Sequence, residues 1–486
     1  MFSNLRTRQQ LSKKDFKRLL PALRAKLLEL QRTLKESKTP VIVLFAGVDG
    51  AGKHEMINSL NEWMNPGWIV TRAYGKPSDE ESQRPDWWRY WRDLPPKGQI
   101  ALFQSAWYSK PLLDYVGRRS DENEFYQALE HIETNERMLT DGGALVIKFW
   151  LHLSKDDQLD RFQKLESDPK TAWQVIEKDW ANWARYDRFM DAANLLISAT
   201  NKPDSKWHII DGFDENWRSV EVANVLSEAI AEHLESPSTA SEPLARGHAG
   251  TRFADADMST TIEKKQYKKE LKRLQAKLAR LHRKANQLGI STVCVFEGWD
   301  ASGKGGAIRR LIHSMEARHY RVIPIAAPTD EENAQHYLWR FWRHLPRDGK
   351  VTIFDRSWYG RGLVERIEGF CSEEDWQRSY NEINEFEASL TDHGTVVCKF
   401  WLHITPEEQL KRFDDRALIP YKAWKLTDED WRNREKWDDY ALAAEDIFAN
   451  TSEESAPWTI VPANDKRLAR LNVLETVCTR LEKALK

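Results

Sequence analysis

The sequence predicts an α/β protein that is a tandem duplication of one domain, in which each copy is a parallel sheet flanked by helices. Two glycine-rich segments show the duplication, because Lys53 of VIVLFAGVDGAGKHEMI aligns with Lys304 of TVCVFEGWDASGKGGAI at an offset of 251 residues. The same offset aligns two copies of the pentapeptide KFWLH, which begin at Lys148 and Lys399. A constant offset over about 200 residues indicates duplication of a whole domain, and units of this length are expected to own a core each.

The elements of each copy follow in a regular order. Each copy begins with an amphipathic helix, which in the second copy carries an apolar stripe of Leu271, Leu274, Leu278 and Leu281. A short apolar strand follows, then the glycine-rich loop and a helix. Further strands are predicted at VIPIA from Val322, VTIFD from Val351 and TVVCKFWLHI from Thr395. Apolar strands that alternate with helices are typical of a parallel sheet covered on both faces.

The predicted domain boundaries are set by a change in composition. Residues 235–259 are rich in Ser, Pro, Ala and Gly and poor in large apolar side chains, which is typical of a flexible linker. We therefore expect a first domain over 1–234, a linker over 235–259 and a second domain over 260–486.

Composition excludes several classes of protein. With 41% hydrophobic and 30% charged residues, the chain of 486 residues is not mainly disordered. Mean hydropathy is −0.67, and no apolar run approaches the roughly 20 residues that span a bilayer. The charged N-terminus lacks the apolar stretch of a signal peptide, so we expect a cytoplasmic protein with no membrane partner. A net charge of −2 favours no nucleic-acid partner, and any polyanion must be bound by a local basic patch.

A candidate phosphate-binding loop follows the first strand of the second copy. The segment from Gly298 to Lys304 fits the pattern G-x-x-x-x-G-K. Glycines let backbone N–H groups surround phosphate oxygens, and the lysine reaches the transferred phosphate. The candidate phosphate-binding residues are Gly298, Ser302, Gly303, Gly305 and Gly306, with Lys304 as a catalytic residue.

The loop departs from the usual pattern at the metal position. A Ser or Thr, whose hydroxyl binds Mg²⁺, ordinarily follows the lysine, but Gly305 and Gly306 follow it here. Carboxylates must then hold the ion. Asp300 lies inside the loop, and Asp355 ends the strand that begins at Val351. We therefore predict Mg²⁺ as the cofactor, with Asp300 and Asp355 as its ligands, although a turn-forming role for Asp300 and a helix cap at Asp355 stay open.

Basic side chains are frequent after Asp355. Many arginines near a phosphate loop suit bidentate recognition of phosphoryl oxygens, although any one of them can be a solvated surface charge. The candidates are Arg356, Arg361 and Arg366, followed by Arg416, Lys422 and Lys425.

Together, the motifs GWDASGKGG, FDRSWYGR and the distal KAWK…WD-Y…APW resemble the polyphosphate kinase 2 family, whose members are P-loop phosphotransferases with inorganic polyphosphate as donor. A fused tandem is similar to the family's two-domain class, which makes ADP from AMP. The resemblance implies a P-loop kinase-like fold with a helical lid at roughly 413–437. It also implies catalytic roles for Asp300, Lys304, Asp355, Arg356, Arg361 and Arg366. The expected partners are inorganic polyphosphate and AMP or another nucleoside monophosphate, and a homo-oligomer is compatible with the sequence.

The first copy departs from this pattern. It keeps Asp49 and Lys53, but Gln104 stands at the position of Asp355 and Ser105 at that of Arg356. Lys110 and Tyr115 replace Arg361 and Arg366, and His54-Glu55 replace the glycine pair. These losses predict a folded but catalytically inactive first domain. An ATP-dependent nucleotide kinase is the alternative function, and a non-catalytic scaffold is the interpretation of the first half alone.

Overall fold

In the computed structural model, residues 8–236, 252–418 and 427–486 are described. They form two five-stranded parallel sheets, which confirms the predicted fold class. The strands of the first copy are β1 (Val41–Gly47), β2 (Ile69–Ala73), β3 (Ile100–Gln104), β4 (Leu145–His152) and β5 (Trp207–Asp211). Those of the second copy are β6 (Thr292–Gly298), β7 (Tyr320–Pro324), β8 (Val351–Asp355), β9 (Val396–His403) and β10 (Trp458–Pro462).

Helices connect the strands in both copies. In chain order, α1 to α10 are Lys13–Glu36, Lys53–Trp63, Asp79–Ser82, Trp88–Arg92, Ser109–Val116, Glu122–Asp141, Lys155–Ser167, Glu177–Trp183, Tyr186–Thr200 and Glu215–Glu235. Helices α11 to α20 are Lys264–Gln287, Lys304–Ile312, Asp330–Asn333, Trp339–Trp342, Val364–Ile367, Glu373–Asp392, Pro406–Ala417, Asp428–Glu435, Trp437–Thr451 and Lys466–Ala484. Short 3₁₀ helices cover Pro66–Trp68, Ala172–Gln174, Ala317–His319 and Trp358–Arg361. No helix within the described ranges is long and apolar enough to cross a membrane.

The strand order is the same in the two sheets. It is β2-β3-β1-β4-β5 in the first copy and β7-β8-β6-β9-β10 in the second. The central strands β1 and β6 carry almost fully buried apolar residues, because both of their faces are covered. In the second sheet, Phe296 of β6 pairs in register with Asp355 of β8. The candidate phosphate loop, from Gly298 to Lys304, and Asp355 therefore lie beside each other at the same edge of the sheet.

A buried lysine explains the repeated KFWLH motif. Lys399 lies in the interior of β9, where its Nζ donates to Glu387 at 2.6 Å, to the Tyr359 hydroxyl at 2.9 Å and to the Thr451 carbonyl at 2.6 Å. Glu387 also accepts from the indole of Trp358 at 3.0 Å. The Trp-Tyr and KFWLH motifs thus satisfy one another's polar groups inside the core. In the first copy Lys148 makes the equivalent contacts, with Glu136 at 2.7 Å.

The described residues divide into two compact units, which do not coincide fully with the two copies. Among the described residues, the first unit combines 8–77 and 89–236 with Thr329–His336, and the second combines 252–328, 337–418 and 427–486 with Ser78–Trp88. Within the second unit, Arg84 Nε donates to the Leu345 carbonyl at 3.1 Å. Each copy therefore gives one segment to the unit formed mainly by the other.

Candidate active site

The phosphate loop of the second copy needs glycine at defined positions. Gly298 has a φ of 130°, and a Cβ there would lie 2.4 Å from the Leu402 carbonyl oxygen, so no larger residue fits. Gly303 has a φ of 114° and caps helix α12, which begins at Lys304. The loop thus turns directly into a helix N-terminus, where unpaired N–H groups and the helix dipole favour an anion.

Two side chains of the loop face inward. Lys304 Nζ donates to the carbonyl of Gly298 at 2.6 Å and to that of Trp299 at 3.3 Å. Ser302 is almost completely buried, and its hydroxyl has no hydrogen-bond partner among the described residues. The loop therefore retains hydrogen-bonding capacity that a bound phosphate can use. A Cβ on Gly305 would meet nothing within 4 Å, whereas one on Gly306 would lie 3.3 Å from Arg470.

Arg412 supports the loop from behind. It is buried, and its guanidinium donates to the carbonyls of Ala301 at 3.0 Å and Ser302 at 2.8 Å and to that of Ala463 at 2.6 Å. Its Nε donates to Glu408 at 2.7 Å. These bonds hold the carbonyl side of the loop, so the opposite N–H groups keep their direction.

Asp300 joins the loop to three other parts of the chain. Its carboxylate accepts from Arg356 Nη2 at 3.2 Å and from Asn433 Nδ2 of α18 at 2.9 Å. Its carbonyl accepts from Gln409 of α17 at 3.1 Å. The structure therefore brings Asp300 and Arg356, two of the predicted site residues, into direct contact.

Asp355 lies at the end of β8, beside this pair. It is half-buried, and no described residue donates a hydrogen bond to its carboxylate. Arg356 follows with a φ of 65°, a left-handed conformation that non-glycine residues rarely adopt. This turn directs the guanidinium toward Asp300 rather than along the strand.

A buried carboxylate that the sequence reasoning missed lies beneath the site. Glu297 of β6 is 5% exposed and accepts from the Ser357 hydroxyl at 2.8 Å. Burial raises the pKa of Glu297, although Lys304 opposes the shift. Burial also disfavours the charge of Arg356, yet Asp300 and Glu429 outweigh it and raise the pKa of its guanidinium. The signal for Glu297 was a single acidic residue within an otherwise apolar strand.

The remaining predicted residues lie in other surroundings. Arg361 pairs with Glu365 at 2.9 Å and lies over the Tyr337 ring. Arg366 pairs with Asp446 at 2.8 Å. The structure does not bring either of them into direct contact with the loop. Arg416 lies in the last turn of α17, half-buried, whereas Lys422 and Lys425 lie outside the described residues, as does part of the predicted lid.

The first copy keeps the shape of the loop without its charged partners. Gly47, Gly52 and Ser105 have positive φ values like those of Gly298, Gly303 and Arg356. Lys53 donates to the Gly47 carbonyl at 2.9 Å, and Asn182 donates to Asp49 at 2.8 Å. Ala46 and Ala106, however, stand where the second copy has Glu297 and Ser357.

The surroundings of the residues that replace Arg361 and Arg366 differ between the copies as well. Tyr115, which replaces Arg366, stacks on Phe125 with ring centroids 4.6 Å apart. Leu195 stands where the second copy has Asp446, so both members of that ion pair are lost together. Lys110 is exposed and pairs with Asp114 at 3.4 Å. At the position of Arg366, the first copy therefore has aromatic packing where the second has an ion pair with the buried Asp446.

Comparisons with known proteins agree with this geometry. The family model of polyphosphate kinase 2 matches residues 10–237 and again 261–486. The chain is 45% identical to polyphosphate:AMP phosphotransferase of Pseudomonas aeruginosa, over 100% of this chain and 99% of that one. It is 36% identical to the enzyme of the same name from Acinetobacter johnsonii, over 91% of both chains.

A solved structure gives the same result. A polyphosphate kinase 2 structure from Pseudomonas aeruginosa matches with a TM-score of 0.89 and 43% sequence identity, over 100% of this chain and 99% of that one. The family match covers nearly the whole chain and occurs once in each copy. The protein belongs to the polyphosphate kinase 2 family.

Proposed function

We propose that this protein transfers a phosphoryl group from inorganic polyphosphate to AMP, forming ADP, and that only the second copy catalyses the reaction. The contact between Asp300 and Arg356 at the phosphate loop supports the restriction of catalysis to the second copy, because the first copy has Ser105 in place of the arginine. The names of full-length relatives at 45% identity support the substrates.

The chemistry needs little acid–base help. A phosphate oxygen of AMP forms a bond to the terminal phosphorus of polyphosphate, and the bond from that phosphorus to the next bridging oxygen breaks. The shortened polyphosphate takes the electron pair. Because the acceptor is already an anion, the protein contributes mainly positioning and charge neutralisation.

The loop supplies these two contributions in the proposed mechanism. Backbone N–H groups at the start of α12 hold the donor phosphates. Lys304 leaves the carbonyls of Gly298 and Trp299, which it contacts at 2.6 and 3.3 Å, and turns toward the transferred group. Arg356 neutralises charge from the opposite side, with Asp300 fixing its direction at 3.2 Å.

Asp300 and Asp355 would hold Mg²⁺. Their carboxylate oxygens are hard donors of the kind this ion prefers, and Asp355 has no hydrogen-bond donor to displace among the described residues. Those residues contain no group of three or more His, Cys, Asp and Glu side chains that could hold a metal. Two carboxylates completed by phosphates and water are, however, ordinary ligands for Mg²⁺. When bound, the ion would neutralise charge on the reacting phosphates.

The outer basic residues fit a polyanionic donor that has no base to recognise. We assign Arg416, Lys422 and Lys425 to binding of the polyphosphate chain. Arg361 and Arg366 would act on phosphate from their ion pairs with Glu365 and Asp446, which limit the conformations of both guanidinium groups.

The test is an assay of ADP formation by the purified protein with Mg²⁺. It compares AMP with polyphosphate, AMP with ATP, and AMP alone. The proposal predicts ADP with polyphosphate only. Formation of ADP with ATP but not with polyphosphate would instead identify an ATP-dependent nucleotide kinase.

A further inference from the structure

The end of the predicted linker is attached to the second unit. The backbone N–H groups of Arg252 and Phe253 donate to the Glu445 carboxylate at 3.0 and 2.8 Å. Arg252 also donates from its side chain to the Ser452 hydroxyl at 3.1 Å. Glu445 belongs to α19, and Ser452 directly follows this helix. Three hydrogen bonds therefore attach Arg252 and Phe253 to α19 and its C-terminal end.

The side chain of Phe253 extends from this attachment into an aromatic cluster. Its ring stacks on His403 with centroids 4.3 Å apart and an interplanar angle of 16°. It meets Phe448 edge-on at 5.5 Å and lies 6.1 Å from Trp299. A predicted linker residue therefore packs beside the phosphate loop, because Trp299 is the second residue of that loop.

His403 and Trp299 hold each other in a defined state. The indole N–H of Trp299 donates to Nδ1 of His403 at 3.0 Å, so this nitrogen must be unprotonated and the imidazole neutral. The stacking of Phe253 on His403 fixes the ring plane in which Nδ1 meets the indole. The orientation of Trp299 thus depends on a ring outside the loop.

The other neighbour of Trp299 connects the loop to α18. Trp299 stacks on Trp437, with centroids 3.6 Å apart and an interplanar angle of 9°. Trp437 begins α19, directly after the helix from which Asn433 binds Asp300 at 2.9 Å. We call Phe253, His403, Trp299 and Trp437 the aromatic row. Within this row, Trp299 precedes Asp300 in the loop and Trp437 follows the helix that carries Asn433, so their stack lies next to the hydrogen bond between Asn433 and Asp300.

The first copy has no equivalent stack among its described residues. Val48 stands at the position of Trp299, and Tyr186 at that of Trp437. The hydroxyl of Tyr186 donates instead to the Leu153 carbonyl at 2.6 Å. The aromatic row thus occurs in the copy that has the contact between Asp300 and Arg356, although the buried core network is common to both copies.

From these contacts we infer that Phe253 is a positioning residue for the phosphoryl-transfer site of the second copy. Its ring fixes His403, which fixes Trp299 and, through the stack on Trp437, the alignment of the loop with α18. This inference rests on the proposed function for its kinetic consequence. Its structural part, the ordering of the loop by Phe253, is independent of what the enzyme transfers.

The experiment compares Phe253→Ala with Phe253→Tyr, which keeps the stacking face, in the full chain. Leu288→Ala is the matched control, because Leu288 is 60% exposed and precedes β6, at the edge of the sheet opposite to the loop. Hydrogen exchange is measured in peptides covering residues 298–304 and 428–440. The kcat and KM for polyphosphate are measured in parallel.

We expect Phe253→Ala to accelerate exchange in both peptides and to lower kcat/KM for polyphosphate about tenfold, as a small displacement of reacting groups does. Phe253→Tyr and Leu288→Ala should stay within about twofold of the wild type. Unchanged exchange in both peptides of a folded Phe253→Ala protein would overturn the inference. So would a uniform increase of exchange across the whole second unit, because that pattern reports only lost stability.

If Phe253→Ala does not fold, Glu445→Gln provides the test, since it weakens the attachment without leaving a cavity. The same two peptides should then exchange faster, by a smaller factor, and unchanged exchange would again overturn the inference. A wild-type protein that makes no ADP from AMP and polyphosphate would refute the proposed function. The exchange measurement would still test the role of Phe253 in that case.

Discussion

Asn433 of α18 donates a hydrogen bond to the carboxylate of Asp300 over 2.9 Å and so attaches this helix to the phosphate loop. The first copy has the same relationship, with Asn182 donating to Asp49 at 2.8 Å. The two copies therefore share this structural contact. Among the described residues, only in the second copy does an arginine, Arg356, donate to the other oxygen of the aspartate carboxylate. This makes the chain its own control for experiments on the site.

Removal of this contact should affect activity in one copy only. We expect Asn433→Ala to lower kcat/KM about tenfold, because a hydrogen bond to a charged group contributes about 1.5–3 kcal/mol. Asn182→Ala should leave the rate of ADP formation within about twofold of the wild type. Steady-state kinetics of the two variants provide the check, and equal losses in both would contradict the assignment of catalysis to the second copy.

The buried lysines should be essential for stability in both copies. Lys399→Met leaves the buried Glu387 carboxylate without its positively charged partner, and we expect a loss of about 3–5 kcal/mol in the free energy of unfolding. Lys148→Met should cost a similar amount through Glu136. Denaturant unfolding measures both. Addition of Glu387→Gln to Lys399→Met should recover part of the loss, and no recovery would show that the buried charge is not its cause.

Two equivalent histidines should contribute to a loss of stability in moderately acidic solution. Burial lowers the pKa of His403 to about 4 and that of His152 to about 4, against about 6.5 in an unfolded chain. Between these two pKa values the unfolded chain binds protons that the folded protein does not. The contribution of these histidines to the free energy of unfolding is therefore fully present above about pH 6.5 and is lost as the pH falls toward about 4. Thermal unfolding from pH 4 to 7 should show a shallower dependence in His403→Gln. An identical dependence would contradict this account.

The duplicated fold and the loop could be predicted because their signals are local. The sheet followed from apolar runs, and the loop from glycines at fixed spacing before Lys304. The supports of the loop could not be predicted, since they join positions far apart in the chain. Arg412 is one of several basic residues near Arg416 in the sequence, yet in the fold it donates to the carbonyls of Ala301 and Ser302. Asn433 gave no signal, because an amide on a polar helix has many ordinary uses.

Two further residues show where composition is a weak guide. Phe253 lies in a segment whose Ser, Pro, Ala and Gly content indicates a linker, but its ring stacks on the half-buried His403. Arg366 was predicted from a motif, and its ion pair with Asp446 depends on a helix that begins about 70 residues later. Burial and pairing of such charges are properties of the folded chain, which a motif does not contain.

The predicted site residues can be tested singly. Lys304→Ala should lower turnover a hundredfold or more, because it removes the positively charged side chain that neutralises the transferred phosphoryl group. Asp355→Asn should have a comparable effect through loss of a metal-binding carboxylate, and excess Mg²⁺ should restore part of its activity. Cooperative thermal unfolding checks that both variants are folded. Near-normal turnover in either folded variant would refute its assigned role.

The division of labour between the copies is tested most directly by turnover of Lys53→Ala beside Lys304→Ala, with AMP and polyphosphate as substrates. Both lysines have the same resting contacts, to the Gly47 carbonyl at 2.9 Å and to the Gly298 carbonyl at 2.6 Å, so the two substitutions are closely matched. The account predicts turnover within a few-fold of the wild type for Lys53→Ala and loss of ADP formation for Lys304→Ala. A hundredfold loss in a folded Lys53→Ala protein would show that the first copy takes part in catalysis.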